Sequence, residues 1–318
     1  MTRAKRLVRR HPWMPALLIL VVLLAVQGLL SPGSVSVRGL TGLTSTYLAL
    51  MLLAVGQTWV VLAGDIDLSI GATLSLVNVS IVALMERFGG EPGAVLLVLV
   101  AGLGIGAACG VVNGLLVAAL RLQAIVATFA TGILFGGAAL AIMPVAGTPA
   151  PTLYWRTWGG RILDVPFVWW ALVAVLALMV MLARTRLALF LAAVGDGAED
   201  AYRSGLPVIA TRVRGYALAG TFAALAAFCI TGDTASGDPL VGSAMTLYSV
   251  AAVVLGGTAL AGGIGTVAGS LLGALAIGVI NAVVYFAGTP SVWQNLVQGL
   301  AILVALAFGI LVGRWARS

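Results

Sequence analysis

Two carboxylates lie two residues apart in the run Gly64-Asp65-Ile66-Asp67-Leu68-Ser69-Ile70-Gly71, between long apolar stretches. An ionised side chain at membrane depth costs about 2.5–3.5 kcal/mol on insertion scales, so such acids need water, a helix N-terminus or a partner. Asp67 ahead of Leu-Ser-Ile-Gly suits an N-cap, its carboxylate accepting from orphan N–H groups of the next helix. With Asp65 and Ser69 it is also a candidate for lining a polar path for a solute. Residues at i and i+2 point apart on a helix, so the two acids make a poor hydrolytic pair. Asn78, Asn113 and Asn281 lie within or at the edges of other apolar runs. Amides there either tie helices together, at around 1 kcal/mol each, or face the same path.

Scarcity excludes most other chemistry. The only lysine is Lys5 and the only histidine is His11. The chain therefore has no phosphate-binding Gly-x-x-x-x-Gly-Lys-Ser/Thr loop, no His-dependent protease site and no His-ligated metal. No Gly-x-Ser-x-Gly elbow is present. Cys109 and Cys229 sit in apolar runs, which fits neither a disulfide framework nor a cysteine metal site. No metal and no cofactor is expected.

The elements that position these residues must be membrane spans. Of 318 residues, 61% are hydrophobic and 8% charged, against about 45–50% and 25% in soluble globular chains. A water-soluble protein is ruled out. Apolar runs at 15–30, 40–62, 68–86, 94–119, 124–143, 167–183, 214–232, 245–261, 266–287 and 292–312 predict an all-α, polytopic transmembrane bundle. The count is about ten spans (8–10), at roughly 20 residues per crossing. Together they form a single transmembrane domain over 1–318. The polar interruptions Gly64–Ser69 and Ala261–Gly265 are either tight turns or breaks in discontinuous helices. Gly102–Gly106–Gly110 and Gly265–Gly269–Gly273 have the spacing that lets helix backbones approach closely. Val60-Val61-Leu62-Ala63-Gly64 echoes Val253-Val254-Leu255-Gly256-Gly257, a hint of internal repetition.

Charge gives the orientation. Residues 1–14 form a basic tail, and the core Ala16–Leu30 lacks a small-x-small cleavage site, so it reads as a retained first span. With the N-terminus inside, cytoplasmic segments carry Arg3, Lys5, Arg6, Arg9, Arg10, Arg121, Arg184, Arg186, Arg203, Arg212, Arg214, Arg314 and Arg317. The opposite side keeps Arg38, Arg87, Arg156 and Arg161. This asymmetry predicts that both termini are cytoplasmic. The net charge of +7 thus reports anionic lipid, not nucleic acid. Tryptophans fit the headgroup level at inner ends (Trp13, Trp59, Trp315) and outer ends (Trp155, Trp158, Trp169, Trp170, Trp293).

The one long cytoplasmic loop spans 184–214. Within it Ala198-Glu199-Asp200-Ala201-Tyr202-Arg203-Ser204-Gly205 predicts a short helix. Its acids occupy the first turn, Arg203 the last, and Gly205 can stop it in a left-handed conformation before Pro207. A helix this short has little core of its own. It either docks on a partner or serves as a solvated linker. On the other side, Met143–Pro166 with Tyr154, Trp155 and Trp158 either meets an external partner or lies at the interface.

Four blocks resemble the permease subunits of ATP-binding cassette importers for simple sugars, the ribose/xylose/arabinose group. They are Gly64 to Gly71; Asn113-Gly114-Leu115-Leu116-Val117 through Thr128-Phe129-Ala130-Thr131; Ala193-Val194-Gly195 through Ser204-Gly205-Leu206; and Val254-Leu255-Gly256-Gly257-Thr258 through Gly262-Gly263-Ile264-Gly265-Thr266, Gly269 and Asn281. The chain departs from the family pattern at Asp65, usually Gly, and at Gln123 and Ala124, where prolines are usual. Two further departures are Asp196-Gly197, in place of the usual Asn after the glycines, and Ile264, a position often polar or basic.

The resemblance implies a multi-pass plasma (inner) membrane subunit that translocates a monosaccharide or similar small polyol and has no ATP site of its own. It implies three partners besides the bilayer. An ATPase subunit would engage Gly195, Ala198, Glu199, Asp200, Ala201, Arg203 and Gly205. An extracytoplasmic solute-binding protein would deliver the solute, and a second permease copy or paralogue would complete the pathway. Two alternatives stay open. One is an ion-coupled secondary transporter using Asp65 or Asp67. The other is a permease of the same superfamily for nucleosides or branched-chain amino acids.

Overall fold

A computed structural model describes residues 13–317. The basic tail up to residue 12, with Lys5 and His11, and the side chains of Arg314, Trp315 and Arg317 lie outside the described residues. Helices run in the order α1 (Met14–Leu30), α2 (Val37–Leu62), α3 (Ile70–Phe88), α4 (Pro92–Gly114), α5 (Ala124–Ile142), α6 (Thr152–Trp158) and α7 (Phe167–Ala183). There follow α8 (Arg186–Asp196), α9 (Ala198–Arg203), α10 (Val208–Thr234), α11 (Met245–Leu255), α12 (Val267–Phe286) and α13 (Ser291–Arg317).

Local chemistry opens these helices. Proline at the first turn starts α1 and α4, where its missing N–H is not needed. Ser36 and Thr266 start α2 and α12 by accepting from Gly39 N at 3.2 Å and Gly269 N at 3.1 Å. Helix α5 begins at Ala124 behind an extended Gln123 without the usual proline.

Among the described residues, seven helices are long and apolar enough to cross a membrane: α2, α3, α4 with its continuation to Ala119, α5, α10, α12 and α13. Helix α7 joins α8 through a 65° bend as one further candidate, while α1 and α11 are shorter apolar helices. At 1.5 Å per residue, α11 extends about 16 Å and does not span the hydrocarbon layer unaided.

The centre is α2, whose most apolar stretch is 83% buried, against 22% for α5 and 11% for α13. Around it pack α10, α11 and α12, with α3 and α4 against α10 and α1 against α12. Large apolar side chains on the outer helices stay uncovered, among them Leu96, Phe129, Leu134, Leu300 and Leu303. That surface suits lipid and would be insoluble in water.

Four glycines of the two small-residue series bring backbones together, whereas Gly102 and Gly265 face side chains of Ile81, Phe228 and Thr258. Gly106 faces Gly220 and Ala224, and Gly110 faces the Tyr216 carbonyl, so α4 and α10 touch through backbone. Gly269 meets Gly256 and Gly273 meets the Ala252 carbonyl between α11 and α12.

The two echoing segments share one helix ending. Gly64 N donates to Val61 O (2.9 Å) and Asp65 N to Val60 O (3.2 Å). In the second copy Gly257 N donates to Val254 O (3.0 Å) and Thr258 N to Val253 O (3.2 Å). Both glycines are left-handed, at φ +83° and +85°. This paired bonding satisfies orphan carbonyls at a helix C-terminus and needs a residue without a Cβ penalty.

Two expectations need correction. The 184–214 segment is mostly helical: α8 occupies Arg186–Asp196, and α10 starts at Val208 directly after Pro207, so residues 208–214 are its first turns and not loop. Trp59, expected at headgroup level, is 0% exposed and packed inside the bundle. Its indole went to the core because α2 is surrounded on every side.

At the far end of α10, Met143–Pro166 is an ordered cap. Strand β1 (Thr148–Pro149) pairs with β4 (Ser236–Gly237), and β2 (Arg161–Ile162) with β3 (Val165–Pro166). The Tyr154 hydroxyl donates to Phe228 O at 2.8 Å, and the Trp158 ring lies on Gly232.

Candidate functional site

The segment between α2 and α3 is held from four directions. Asp67 is 2% exposed, and its Oδ1 accepts from Ser69 N (2.8 Å) and Ser69 Oγ (2.7 Å). Helix α3 begins at Ile70, so the carboxylate braces the turn ahead of the helix and does not cap the helical N–H groups themselves. Asn113 on α4 donates to Ser69 Oγ at 2.6 Å and accepts from Thr131 Oγ1 on α5 at 2.6 Å. One turn earlier on α5, Thr128 Oγ1 accepts from Leu68 N at 2.9 Å. Gln57 on α2, with its amide turned to match both partners, donates to Asp67 O (3.2 Å) and accepts from Asp67 N (3.1 Å). Every donor here meets an acceptor, as burial demands.

Asp65 points elsewhere. Its carboxylate receives two guanidinium bonds from Arg212 in the first turns of α10, Nη2 to Oδ1 at 2.5 Å and Nε to Oδ2 at 3.0 Å. The geometry is the two-pronged fork that arginine makes with a carboxylate. Asp65 is 5% and Arg212 25% exposed at the side chain.

The second connection, between α11 and α12, lies against the first. Gly263 N donates to Leu62 O at 3.0 Å. A Cβ on Gly262 would stand 2.8 Å from Gly64 Cα. Gly195, near the end of α8, closes the junction: a Cβ there would overlap the Leu62 carbonyl and stand 2.6 Å from Gly263 N. Both helix connections and the segment leading to α9 thus meet backbone to backbone.

Helix α9 projects from that junction. Glu199 and Asp200 occupy its first turn and Arg203 its last, with Glu199 and Arg203 paired at 2.6 Å on the surface. Gly205, at φ +81°, ends it with bonds from Gly205 N to Tyr202 O and from Leu206 N to Ala201 O. Only Ala201 is buried; Ala198, Glu199, Asp200, Tyr202, Arg203 and Gly205 are exposed.

The six residues considered for a solute path do not form one line. Asp67, Ser69 and Asn113 belong to the brace, and Asp65 to the ion pair. Asn78 lies at the other end of α10, donating to Thr231 Oγ1 (2.6 Å) and Ser236 O (3.3 Å) and accepting from Asp238 N (2.7 Å). In this structure the side chains of all five are engaged by protein partners. Asn281 is partly exposed on α12, its Oδ1 without a partner among the described residues. Gln57, Thr128, Thr131 and Arg212 join the site in the structure without being among the residues the sequence suggests for it. Thr128 and Thr131 lay inside a recognised block, one turn apart on one face, which was a usable signal. No cluster among the described residues has three His, Cys, Asp or Glu able to hold a metal.

A helical bundle with uncovered apolar flanks and paired helix connections at one end defines a multi-pass membrane protein. The profile of a family described as the permease component of branched-chain amino acid transport systems matches residues 39–306, and the chain belongs to that family. It is 34% identical over 299 residues to the ribose import permease protein RbsC of Escherichia coli (strain K12), covering 92% of this chain and 91% of that one. The RbsC protein of Bacillus subtilis (strain 168) is 34% identical over 293 residues, 90% and 89% of the two chains. The autoinducer 2 import system permease protein LsrC of Salmonella choleraesuis (strain SC-B67) is 33% identical over 303 residues, 92% and 84%.

Proposed function

We propose that the chain is the membrane-spanning subunit of an ATP-binding cassette importer in the plasma (inner) membrane, passing a monosaccharide or similar small polyol inward. The sugar assignment is supported by the ribose permeases among its relatives. An ATPase subunit grips α9, an extracytoplasmic binding protein docks on the end capped by Met143–Pro166, and a second permease subunit completes the pathway. Both termini and the α8–α9 segment are cytoplasmic, in keeping with the cation asymmetry.

One observation carries this reading: Gly195, one turn ahead of the exposed α9, touches both helix connections at once. A push on α9 therefore arrives where α2, α3, α11 and α12 change direction. ATP binding on the partner can shift the bundle only through contacts that differ between its states. An ion-coupled mechanism would need an acid free to exchange its cation or proton. Asp65 is ion-paired, and Asp67 is buried with its Oδ1 bonded twice by Ser69, which weighs against it.

The test is reconstitution of this chain with its co-purifying subunits in vesicles. Uptake of D-ribose that requires internal ATP and external binding protein supports the assignment. Uptake of branched-chain amino acids and not sugars would move it to the other solute class.

A further inference from the structure

We propose that the Asp65–Arg212 ion pair is the positioning element that makes the α2–α3 connection move with the ATPase-facing segment, an inference that rests on the reading above. Arg212 follows α9 by two short steps, the left-handed stop at Gly205 and the proline at 207, and then sits in the opening turns of α10. Any tilt of α9 is therefore delivered to the start of α10 with little slack. The guanidinium reaches 147 residues back to Asp65 and holds both carboxylate oxygens, fixing direction as well as distance.

Asp65 is itself a fixed point. Its N–H completes the α2 ending on Val60 O, and two residues later Asp67 locks the chain to α4 and α5 through Ser69 and Asn113. Force entering at Arg212 thus passes along a short, hydrogen-bonded backbone into four helices. The brace around Asp67 would hold α3, α4 and α5 together without this pair. What the pair adds is the link to α10 and through it to α9.

The experiment uses the full importer in vesicles, reading D-ribose taken up per ATP hydrolysed together with the melting temperature of the purified complex. Arg212→Gln lowers the uptake-to-hydrolysis ratio by about tenfold, within the range for residues along a coupled network, while hydrolysis continues. Arg212→Lys, which keeps the charge but not the fork, loses less. The double variant Asp65→Gly/Arg212→Gln leaves no unpaired buried charge, so it melts close to wild type yet stays uncoupled. A brace with no transmitting role predicts the opposite: a lowered melting temperature with an unchanged ratio. That result in any of these variants overturns the proposal. If wild-type uptake itself needs no ATPase, the functional reading falls and the strut falls with it. If wild type is ATP-driven and the variants keep its ratio, only the strut falls.

Discussion

The N–H of Gly263 donates to the carbonyl of Leu62 at 3.0 Å, joining the end of α2 to the turn that precedes α12. Two helix connections far apart in sequence thereby become one structural point, and Gly195 presses on it from α8. A side chain at Gly195 or Gly262 would force backbones apart.

Gly195→Ala places a methyl group in the Leu62 carbonyl. Overpacking of this kind costs roughly 1–3 kcal/mol. The purified variant should melt several degrees lower, and uptake should fall further than stability alone explains. A melting curve and uptake rate matching wild type would show that the junction tolerates separation.

Asp67→Ala removes the acceptor for Ser69 N and Ser69 Oγ inside a buried site. Leaving buried donors unsatisfied costs about 1–3 kcal/mol. Asp65→Ala frees Arg212, whose side chain is 25% exposed and has room to reach water. The Asp67 variant is therefore the less stable of the two in a denaturant or thermal titration. The reverse order would mean that the Asp67 brace is redundant.

Ser69→Ala and Asn113→Ala act on the same chain of hydrogen bonds. Their effects on melting should be non-additive, with a coupling in the range of about 0.5–3 kcal/mol seen for contacting residues. Additive losses would place the two side chains in separate environments.

Gly205→Val forces a β-branched residue into φ +81°, a backbone region costing L-residues about 1–2 kcal/mol. Helix α9 loses its stop, while the spans are untouched. Membrane insertion should be normal, but hydrolysis should lose its stimulation by loaded binding protein. Full stimulation in this variant would remove α9 from the coupling route.

Much of this was legible in the sequence. Runs of about 20 apolar residues announce spans directly, so α7 fell on its expected bounds, and the acids, arginine and glycine of 198–205 spelled out α9 with its stop. The echo at Val60 and Val253 turned out to be a repeated helix ending, visible in sequence only as a short match. The start of α10 was not legible, because Arg212 and Arg214 interrupt the apolar run and mimic loop. The partner of Asp65 lies 147 residues away, and nothing local to either residue records that pairing. Trp59 misled for a related reason: an indole suits a headgroup or a core, and only the packing around α2 decides between them.

The central claim is that this chain is a gate driven by a motor on another subunit. The most direct measurement is solute uptake by vesicles holding the purified chain, with and without its ATPase partner, under an imposed proton or sodium gradient. The account predicts no uphill uptake until the ATPase and ATP are supplied, whatever the gradient. Concentrative uptake by the chain alone, driven by the gradient, would contradict it.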